Sequence, residues 1–423
     1  MTIWKIVAAG VLLGVAYAIS PLTVVCVPVV FGLARWVGAD LAGRERRWFI
    51  TVVLLAVVVR LALIGGLSLS ANGTAPFETF FGDELFFKNR SLWIRNYGLG
   101  VPMSPADVIY AFEDVGISSY LYALAVIQAV FGNASYGVHV INSVCYLTAV
   151  LLLFRLVRPV FGGVAALSGL IVLLFTPSLF MWSISALKEP SYTLAAALEL
   201  WCAVRIARAG SWRSRGVWLI GVIAGAVVLE SLRRGGSMVA LTGVVGGLFF
   251  GYVLARPKAT LATAVLLPVA IAVAMTLPPV QERALHAARS WAIYHSGHVG
   301  SNGYSYHILD GLYYIDGLRL YTMPAPHAIR YVVDAYVAYV TEPVPWRIES
   351  RALLAYLPEQ MFWYVLLALA PFGVVAGARR DVMLTMLLSA HALGAVTVVA
   401  MTSGNIGTLI RHRGLVMPYL VWL

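Results

Sequence analysis

The sequence predicts an all-α polytopic membrane protein with about eleven transmembrane helices, because several apolar runs reach the roughly 20 residues that cross a bilayer. Hydrophobic residues make up 61% of the 423 residues and charged residues only 12%. About a quarter of the residues in soluble domains are charged. Open sheets would leave backbone groups unpaired in lipid, and these runs are too long and too uniformly apolar for barrel strands.

The predicted spans form one membrane domain over residues 1–423, interrupted by two long polar segments, 70–135 and 279–358. Apolar runs bounded by charged loops define the spans. They lie near residues 7–34, 48–69, 136–156, 163–181, 190–207, 217–232, 237–255, 260–278, 360–378 and 383–402, with a short last one from about 413 to the end.

Lysine and arginine concentrate in five loops that fall on one side of the membrane if the spans alternate. The positive-inside rule makes this side the cytoplasm and places the two long segments outside. The net charge of +11 therefore reflects orientation in the membrane, and no nucleic-acid partner is expected. These residues are Arg35, Arg44, Arg46, Arg47, Arg155, Arg158, Arg205, Arg208, Arg213, Arg215, Arg256, Lys258, Arg379 and Arg380.

The two outer segments contain helical patterns. Residues 85–97 alternate aromatic, basic and polar side chains, as an amphipathic surface helix does, and residues 118–132 are apolar but too short for a span. Residues 282–295 and 328–340 have helical periodicity. Glycines predict a loop with turns over 302–317 between them.

An acidic pair, Asp83 and Glu84, lies in the first outer segment within "FFGDELFFKN". A carboxylate at a membrane edge beside aromatic rings is partly desolvated, which makes it a better base. Acids are equally ordinary in the first turn of a helix, and this alternative stays open. Lys88, further along the same helix, is a possible substrate-binding residue.

Three basic groups lie on the outer side, which should be poor in them. Lys188 precedes Glu189 in "ISALKEPSY", where a helix cap with a local ion pair is the simpler explanation. Arg233 and Arg234 precede two glycines that permit close approach of a ligand or helix. Cations at such positions need an anion, either a lipid headgroup or a substrate phosphate.

The third basic group is Arg411, His412 and Arg413, in "SGNIGTLIRHRGLVMP". Arginine binds phosphate oxygens through its two-pronged guanidinium. The three groups together indicate a pocket for a membrane-anchored phosphate or diphosphate that faces a carboxylate. Glu189 and His412 are possible substrate-binding residues.

Neither a metal site nor a disulfide is expected. No carboxylate or cysteine pattern completes the spacing of His295, His298 and His307. The three cysteines lie in apolar spans and are expected to behave as small buried hydrophobic residues. Tyrosines of the second outer segment could stack on sugar rings or belong to an interfacial aromatic belt; they are Tyr304, Tyr306, Tyr313, Tyr314 and Tyr321.

A span, an outer loop with an acidic pair and an amphipathic segment precede "SYLYALAVIQAVFGNASYGVHVINSVCYLTAVLLLFRLVRPVFGG" and "SGLIVLLFTPSLFMWSISALKEPSYTLAAALEL". This layout, over about residues 48–260, resembles the GT-C glycosyltransferases of the protein-mannosyltransferase and aminoarabinose-transferase-like group, especially bacterial polysaccharide-associated members. The tail, with "PVPWRIES…LPEQMFWYVLL" and "GNIGTLIRHR", is similar to bacterial proteins of that group. The span at 7–34 and the lack of a separate soluble C-terminal domain depart from the family pattern.

The resemblance implies a GT-C-like helical bundle that transfers a sugar from a polyprenyl-phosphate donor, with inversion, to a glycan or lipid acceptor. It implies a location in the bacterial inner membrane, a site facing the periplasm and a role in cell-envelope polysaccharide or glycoconjugate synthesis. The family's carboxylate base corresponds to Asp83, with Glu84 next, and no metal or cofactor is required. The implied ligands of the donor phosphate are Lys188, Arg233, Arg234, Arg411 and Arg413.

Two other functions remain open on the sequence. A lipid-linked polysaccharide polymerase or ligase would use a diphosphate donor that carries an oligosaccharide. A transporter or flippase of an anionic lipid would line a path through the membrane with polar groups, often on broken or repeated helices. The polar groups cluster on one side here, which favours chemistry at the membrane surface.

Overall fold

The computed structural model describes residues 3–24, 26–70, 82–114, 116–132, 136–300, 307–314, 316–347 and 351–423. These residues are mainly α-helical and contain no β-strand, only an isolated antiparallel bridge between His307 and Asn405. The predicted fold class, an all-α polytopic membrane protein, is confirmed.

Contacts between residues divide the chain into two compact units. Unit 1 comprises Met1–Arg205 and Ser211–Ser237, and unit 2 comprises Ile206–Gly210 and Met238–Leu423. The single domain expected over residues 1–423 stays a prediction.

Unit 1 consists of eleven helices within the described residues, the tenth of which ends in unit 2. They are α1 Ile3–Ile19, α2 Cys26–Val37, α3 Gly43–Ser70, α4 Gly82–Gly98, α5 Pro105–Phe112, α6 Ser119–Phe131, α7 Gly137–Phe161, α8 Gly163–Phe175, α9 Pro177–Ser183, α10 Glu189–Arg208 and α11 Trp212–Leu232.

Unit 2 contains nine further helices in the part of the chain that the structure describes. They are α12 Gly236–Leu254, whose first residues belong to unit 1, α13 Pro257–Ala274, α14 Pro278–Gly300, α15 Gly317–Tyr321, α16 Ala325–Thr341, α17 Arg351–Ala378, α18 Val382–Thr402, α19 Ile406–Arg413 and α20 Met417–Leu420.

Among the described residues, seven helices are long and apolar enough to cross a membrane. They are α3, α7, α11, α12, α13, α17 and α18. An eighth crossing results if α8 and α9, which meet at an angle of 64°, are one bent span. This pair corresponds to the predicted span at 163–181. The four helical patterns recognised in the outer segments are found as helices α4, α6, α14 and α16.

Three of the eleven predicted spans are not long apolar helices. The segment 7–34 is divided because Pro21 cannot continue the hydrogen-bond ladder and forces Ser20 into an extended conformation. The segment 190–207 is helix α10, but two glutamates and two arginines make it more polar than the seven spans. The last segment contains only the four-residue helix α20 and the end of α19.

The bend between α8 and α9 is held by two side chains from other helices. Pro177 begins α9 and has no amide hydrogen to donate, so carbonyls at the end of α8 need other donors. The Tyr146 hydroxyl donates to the Leu173 carbonyl at 2.7 Å, and the buried Arg60 guanidinium donates to the Leu174 carbonyl at 3.0 Å. These contacts compensate for the break in the helix.

Unit 1 has two ends of different chemistry. At one end, Arg158 donates to both carboxylate oxygens of Glu45, at 3.0 and 2.8 Å, which joins the end of α7 to the start of α3. Arg155 lies there too, 4.1 Å above the Trp36 ring. The other end carries Asp83 and Glu84 and is called the acidic end. Several of the predicted cytoplasmic arginines therefore lie at the end of unit 1 that is opposite the acidic pair.

In unit 2, Tyr314 fixes part of the second outer segment. Its hydroxyl donates to the Gly404 carbonyl at 2.7 Å and accepts the amide hydrogens of Ile308 and Leu309 at 3.1 and 3.2 Å. The Nε2 atom of the buried His295 lies 3.0 Å from the same oxygen. Burial raises the pKa of Tyr314 to about 12, so the hydroxyl keeps its proton at neutral pH.

Candidate functional site

The first turn of α4 contains both members of the acidic pair. Carboxylates are favourable there because the amide groups of the first turn carry partial positive charge. Successive helical residues point about 100° apart, so the two side chains face different surroundings. Asp83 is exposed, whereas Glu84 has an exposed fraction of 0%. The partial desolvation predicted for the pair is therefore found at Glu84, whereas Asp83 is not buried by the protein.

The Glu84 carboxylate is hydrogen-bonded within unit 1. Its Oε1 atom accepts the amide hydrogen of Ala186 at 2.9 Å, and its Oε2 atom lies 3.3 Å from Nε2 of His139. His139 is also completely buried. A carboxylate is tolerated in such a position only when hydrogen bonds replace its hydration. Glu84 thus connects α4 to α7 and to the chain between α9 and α10.

The connection between α9 and α10, residues 184–188, is held mainly by one face of α7. His139, Asn142 and Ser143 share this face because they are three and four residues apart. The Asn142 amide nitrogen lies within 2.7 Å of the Ser185 carbonyl and 2.8 Å of the Leu187 carbonyl. Residues 184–188, the last of which is Lys188, consequently have a defined backbone conformation.

Four ionisable side chains besides Asp83 lie at the acidic end of unit 1. Glu84 and Lys88 lie one turn apart on α4, and both are buried. Lys188 is half-buried, with Nζ 5.9 Å from the centre of the Phe87 ring. Glu189 is buried at the start of α10. The structure therefore brings several of the predicted catalytic and binding residues to one end of unit 1.

The Arg233-Arg234 pair begins the turn between α11 and α12, also in unit 1. Arg234 forms an ion pair with Asp114, with Nη2 3.1 Å from Oδ2, and both side chains are exposed. Arg233 is half-buried. Exposed ion pairs contribute only about 0–1 kcal/mol, so Arg234 can exchange this partner for another anion at little cost.

The two glycines after the arginine pair are explained by the turn itself. Gly235 has a φ of 88°, a value that side chains rarely adopt, and a Cβ on Gly236 would lie 2.3 Å from the Leu229 carbonyl oxygen. Glu230 accepts hydrogen bonds from the amide and hydroxyl of Ser237, at 3.0 and 2.6 Å. A ligand is not needed to account for the glycines.

The third basic group belongs to unit 2, and its members differ in environment. Arg413 is buried and donates to Gln360 Oε1 at 2.7 Å, to the Tyr339 carbonyl at 2.6 Å and to the Glu342 carbonyl. These bonds give Arg413 a structural role. His412 is also buried, with Nδ1 3.2 Å from a serine hydroxyl. Arg411 is half-buried. The contacts of Arg411 and Arg413 with a donor phosphate, and that of His412 with a substrate, stay predictions.

No group of three or more histidine, cysteine, aspartate or glutamate side chains that could hold a metal occurs in the described residues. His295 is packed against Tyr314 and Tyr331, and His307 stacks on Tyr314 at 3.9 Å. The predicted sugar-stacking residues Tyr304 and Tyr306 lie outside the described residues.

His139 and Asn142 are site residues that the sequence analysis missed. Both lie within a segment recognised only as a span. A signal was present, since polar residues recur at positions 139, 142 and 143 at the start of an apolar helix. Polar side chains in a membrane helix face the interior of the bundle rather than lipid.

A comparison with known families finds a match that includes this part of the chain. Residues 119–281 match the dolichyl-phosphate-mannose-protein mannosyltransferase family. The matched segment contains His139, Asn142, Lys188 and the arginine pair at 233 and 234. A search of the curated proteins found no match, and neither did a search of the solved structures. Residues 119–281 thus carry a GT-C superfamily domain, and this match supports a membrane glycosyltransferase of the GT-C type.

Proposed function

We propose that the chain is an inverting glycosyltransferase that moves a sugar from a polyprenyl-phosphate donor to a glycan or lipid acceptor. The reaction takes place at the acidic end of unit 1, which faces the periplasm of a bacterial inner membrane. The product belongs to a cell-envelope polysaccharide or glycoconjugate. The orientation rests on the arginine-rich loops at the opposite end, which mark the cytoplasmic side.

One observation carries this proposal. Glu84 joins the helix of the acidic pair to residues inside the matched family segment, through His139 and Ala186. Asp83, which precedes Glu84, therefore lies beside the part of the chain that is similar to known sugar transferases. Its exposure leaves the carboxylate accessible to an acceptor.

In the proposed reaction, Asp83 takes the proton of an acceptor hydroxyl. The acceptor oxygen attacks C1 of the sugar from the face opposite the phosphate. The new glycosidic bond forms as the bond between C1 and the phosphate oxygen breaks, and the polyprenyl phosphate leaves with both electrons of that bond. Attack from the opposite face inverts the configuration at C1.

Lys188, Arg233 and Arg234 are the proposed ligands of the leaving phosphate. They belong to the same unit as Asp83 and to the matched segment. Cations aimed at the leaving oxygen stabilise the charge that develops there, which is a large source of catalysis when the groups are fixed in advance. Lys88 and Glu189 are proposed to bind the sugar or the acceptor.

Transfer from a short-chain polyprenyl-phosphate sugar by the purified protein tests the proposal. Asp83→Asn should abolish transfer but leave donor binding unchanged, because it removes the base and keeps the shape. Arg233→Ala should weaken donor binding as well as turnover. Glu113→Gln is the matched control, since Glu113 is an exposed acid in the same outer segment, and it should behave as the unmodified protein.

Equal activity in all these variants would contradict the assignment of the site. Transfer of an oligosaccharide from a diphosphate donor alone would instead identify a polymerase or ligase. Movement of lipid between leaflets without sugar transfer would identify a transporter.

A further inference from the structure

Glu84 and His139 are buried, whereas a catalytic base has to reach the hydroxyl of the acceptor. Both side chains have an exposed fraction of 0%. A catalytic base has to come within hydrogen-bonding distance of the acceptor hydroxyl, directly or through one water. The two oxygens of Glu84 instead contact the Ala186 amide and the His139 ring. Glu84 is thus placed to hold elements together.

The contacts of Glu84 join the two chain segments that carry the proposed functional groups. Asp83 is the preceding residue on α4. Lys188 lies two residues after Ala186, whose amide hydrogen Glu84 accepts. Each residue spans only about 3.8 Å along the chain. The bond between Glu84 and Ala186 therefore sets the distance between the proposed base and a proposed ligand of the phosphate.

His139 supports the Glu84 carboxylate from α7. With the proton on Nε2, its ring donates to Oε2 of Glu84 and orients the carboxylate so that Oε1 faces the Ala186 amide. Asn142, one turn further along α7, contacts the carbonyls on both sides of that amide group, those of Ser185 and Leu187. One helix thus orients both partners of the bond.

We propose that Glu84 and His139 form a positioning pair, which fixes Asp83 relative to Lys188 and takes no part in proton transfer. This inference rests on the proposed function and assigns the base to Asp83 alone. Misplacing reacting groups by about 1 Å can lower a rate by about 100-fold. Loss of the pair should accordingly lower turnover even in protein that remains folded.

Glu84→Gln separates positioning from proton transfer. The glutamine oxygen still accepts the Ala186 amide hydrogen, and its amide group donates to Nε2 of the other His139 tautomer, but it is not a base. We expect Glu84→Gln to keep kcat within about threefold and KM for the donor unchanged, whereas Glu84→Ala loses about 100-fold in kcat. Asp83→Asn should be inactive. If Glu84→Gln is as inactive as Asp83→Asn at an unchanged melting temperature, Glu84 is the base and the proposal fails.

His139 variants provide the second arm. His139→Gln restores a donor to the Glu84 carboxylate and should keep most of the turnover, whereas His139→Ala should lose as much as Glu84→Ala. The double variant with alanine at both positions should be no worse than either single one, because both remove the same bond. Additive losses would contradict a shared role. If the alanine variants do not fold, the two glutamine variants still decide the question.

A distance measurement tests the inference independently of sugar transfer. Nitroxide labels on cysteines at positions 83 and 188, with the three native cysteines replaced, should give a narrow distribution of distances when Glu84 and His139 are retained. Glu84→Ala should broaden it, and Glu84→Gln should not. An unchanged distribution in Glu84→Ala would refute the positioning role. Sugar transfer is measured separately on the unlabelled protein, which retains Asp83 and Lys188. Broadening by Glu84→Ala, together with no transfer by the unlabelled protein, would support the pair while rejecting the glycosyltransferase.

Discussion

Replacing Gly243 by alanine should destabilise unit 2, because the new methyl group would collide with a side chain that cannot move. A Cβ at this position on α12 would lie 2.3 Å from Cδ2 of His391 on α18. His391 is fully buried, its Nδ1 atom donates to the Leu387 carbonyl at 2.7 Å, and its ring stacks on Tyr419 at 5.3 Å. The two helices have to separate instead.

The expected size of the effect follows from the geometry. Carbon atoms in contact prefer about 3.5–4.0 Å, so the helices would have to open by more than about 1 Å. A Cβ built on Gly247 or Gly251 would likewise lie 2.6 Å from an atom of α18, so the close packing at these two glycines would be lost too. Overpacking typically costs about 1–3 kcal/mol. Alanine regains up to about 1 kcal/mol of helix propensity, so a net loss of about 1–2 kcal/mol in the free energy of unfolding is expected.

Thermal unfolding of the protein in detergent measures this effect. A loss of about 1–2 kcal/mol corresponds to a fall of roughly 2–8 °C in Tm for a unit of this size. Gly246→Ala is the matched control, because its Cβ would lie 3.5 Å from that of Ala390, an ordinary contact. It should leave Tm unchanged or raise it slightly. Equal Tm values for the two variants would show that the added methyl group at position 243 does not collide with His391.

Three further substitutions test other buried contacts. Arg413→Met removes the donor to a side-chain amide and two carbonyls and should lower the free energy of unfolding by about 3 kcal/mol. An unchanged Tm would contradict the structural role of Arg413. Tyr314→Phe removes the bond to Gly404 and should speed amide hydrogen exchange over residues 307–314, whereas unaltered exchange would show that the hydroxyl is dispensable. Arg60→Met deprives the Leu174 carbonyl of its donor and should lower stability by about 1–3 kcal/mol; a Tm equal to that of the unmodified protein would show that the bend holds without it.

The boundaries of the spans could be predicted wherever hydrophobicity alone decides them. Helix α18 begins and ends within one residue of the predicted 383–402. The segment 7–34 was misjudged because mean hydropathy does not register the break at Pro21. Helix α10 was correctly located, but Glu199, buried within it, adds a charge that a span of average composition lacks.

The sequence predicts which charged groups the candidate site contains but not which way they face, and the reason is geometric. Adjacent acids before an amphipathic stretch indicate a carboxylate site, yet nothing local says which of Asp83 and Glu84 faces the protein. That depends on the rotation of α4 against α7. Likewise Arg413 is a cation at the end of a span in the sequence, and only the positions of carbonyls at the end of α16 reveal that it donates hydrogen bonds within the protein.

By itself, the sequence determined the membrane class, most of the helices and the presence of acidic and basic groups, because hydropathy and periodicity are properties of neighbouring residues. The tertiary structure decided which of those groups meet. Glu84 contacts His139, 55 residues away, and Ala186, 102 residues away. Contacts at such separations depend on how the helices pack, and no local pattern in the chain encodes them.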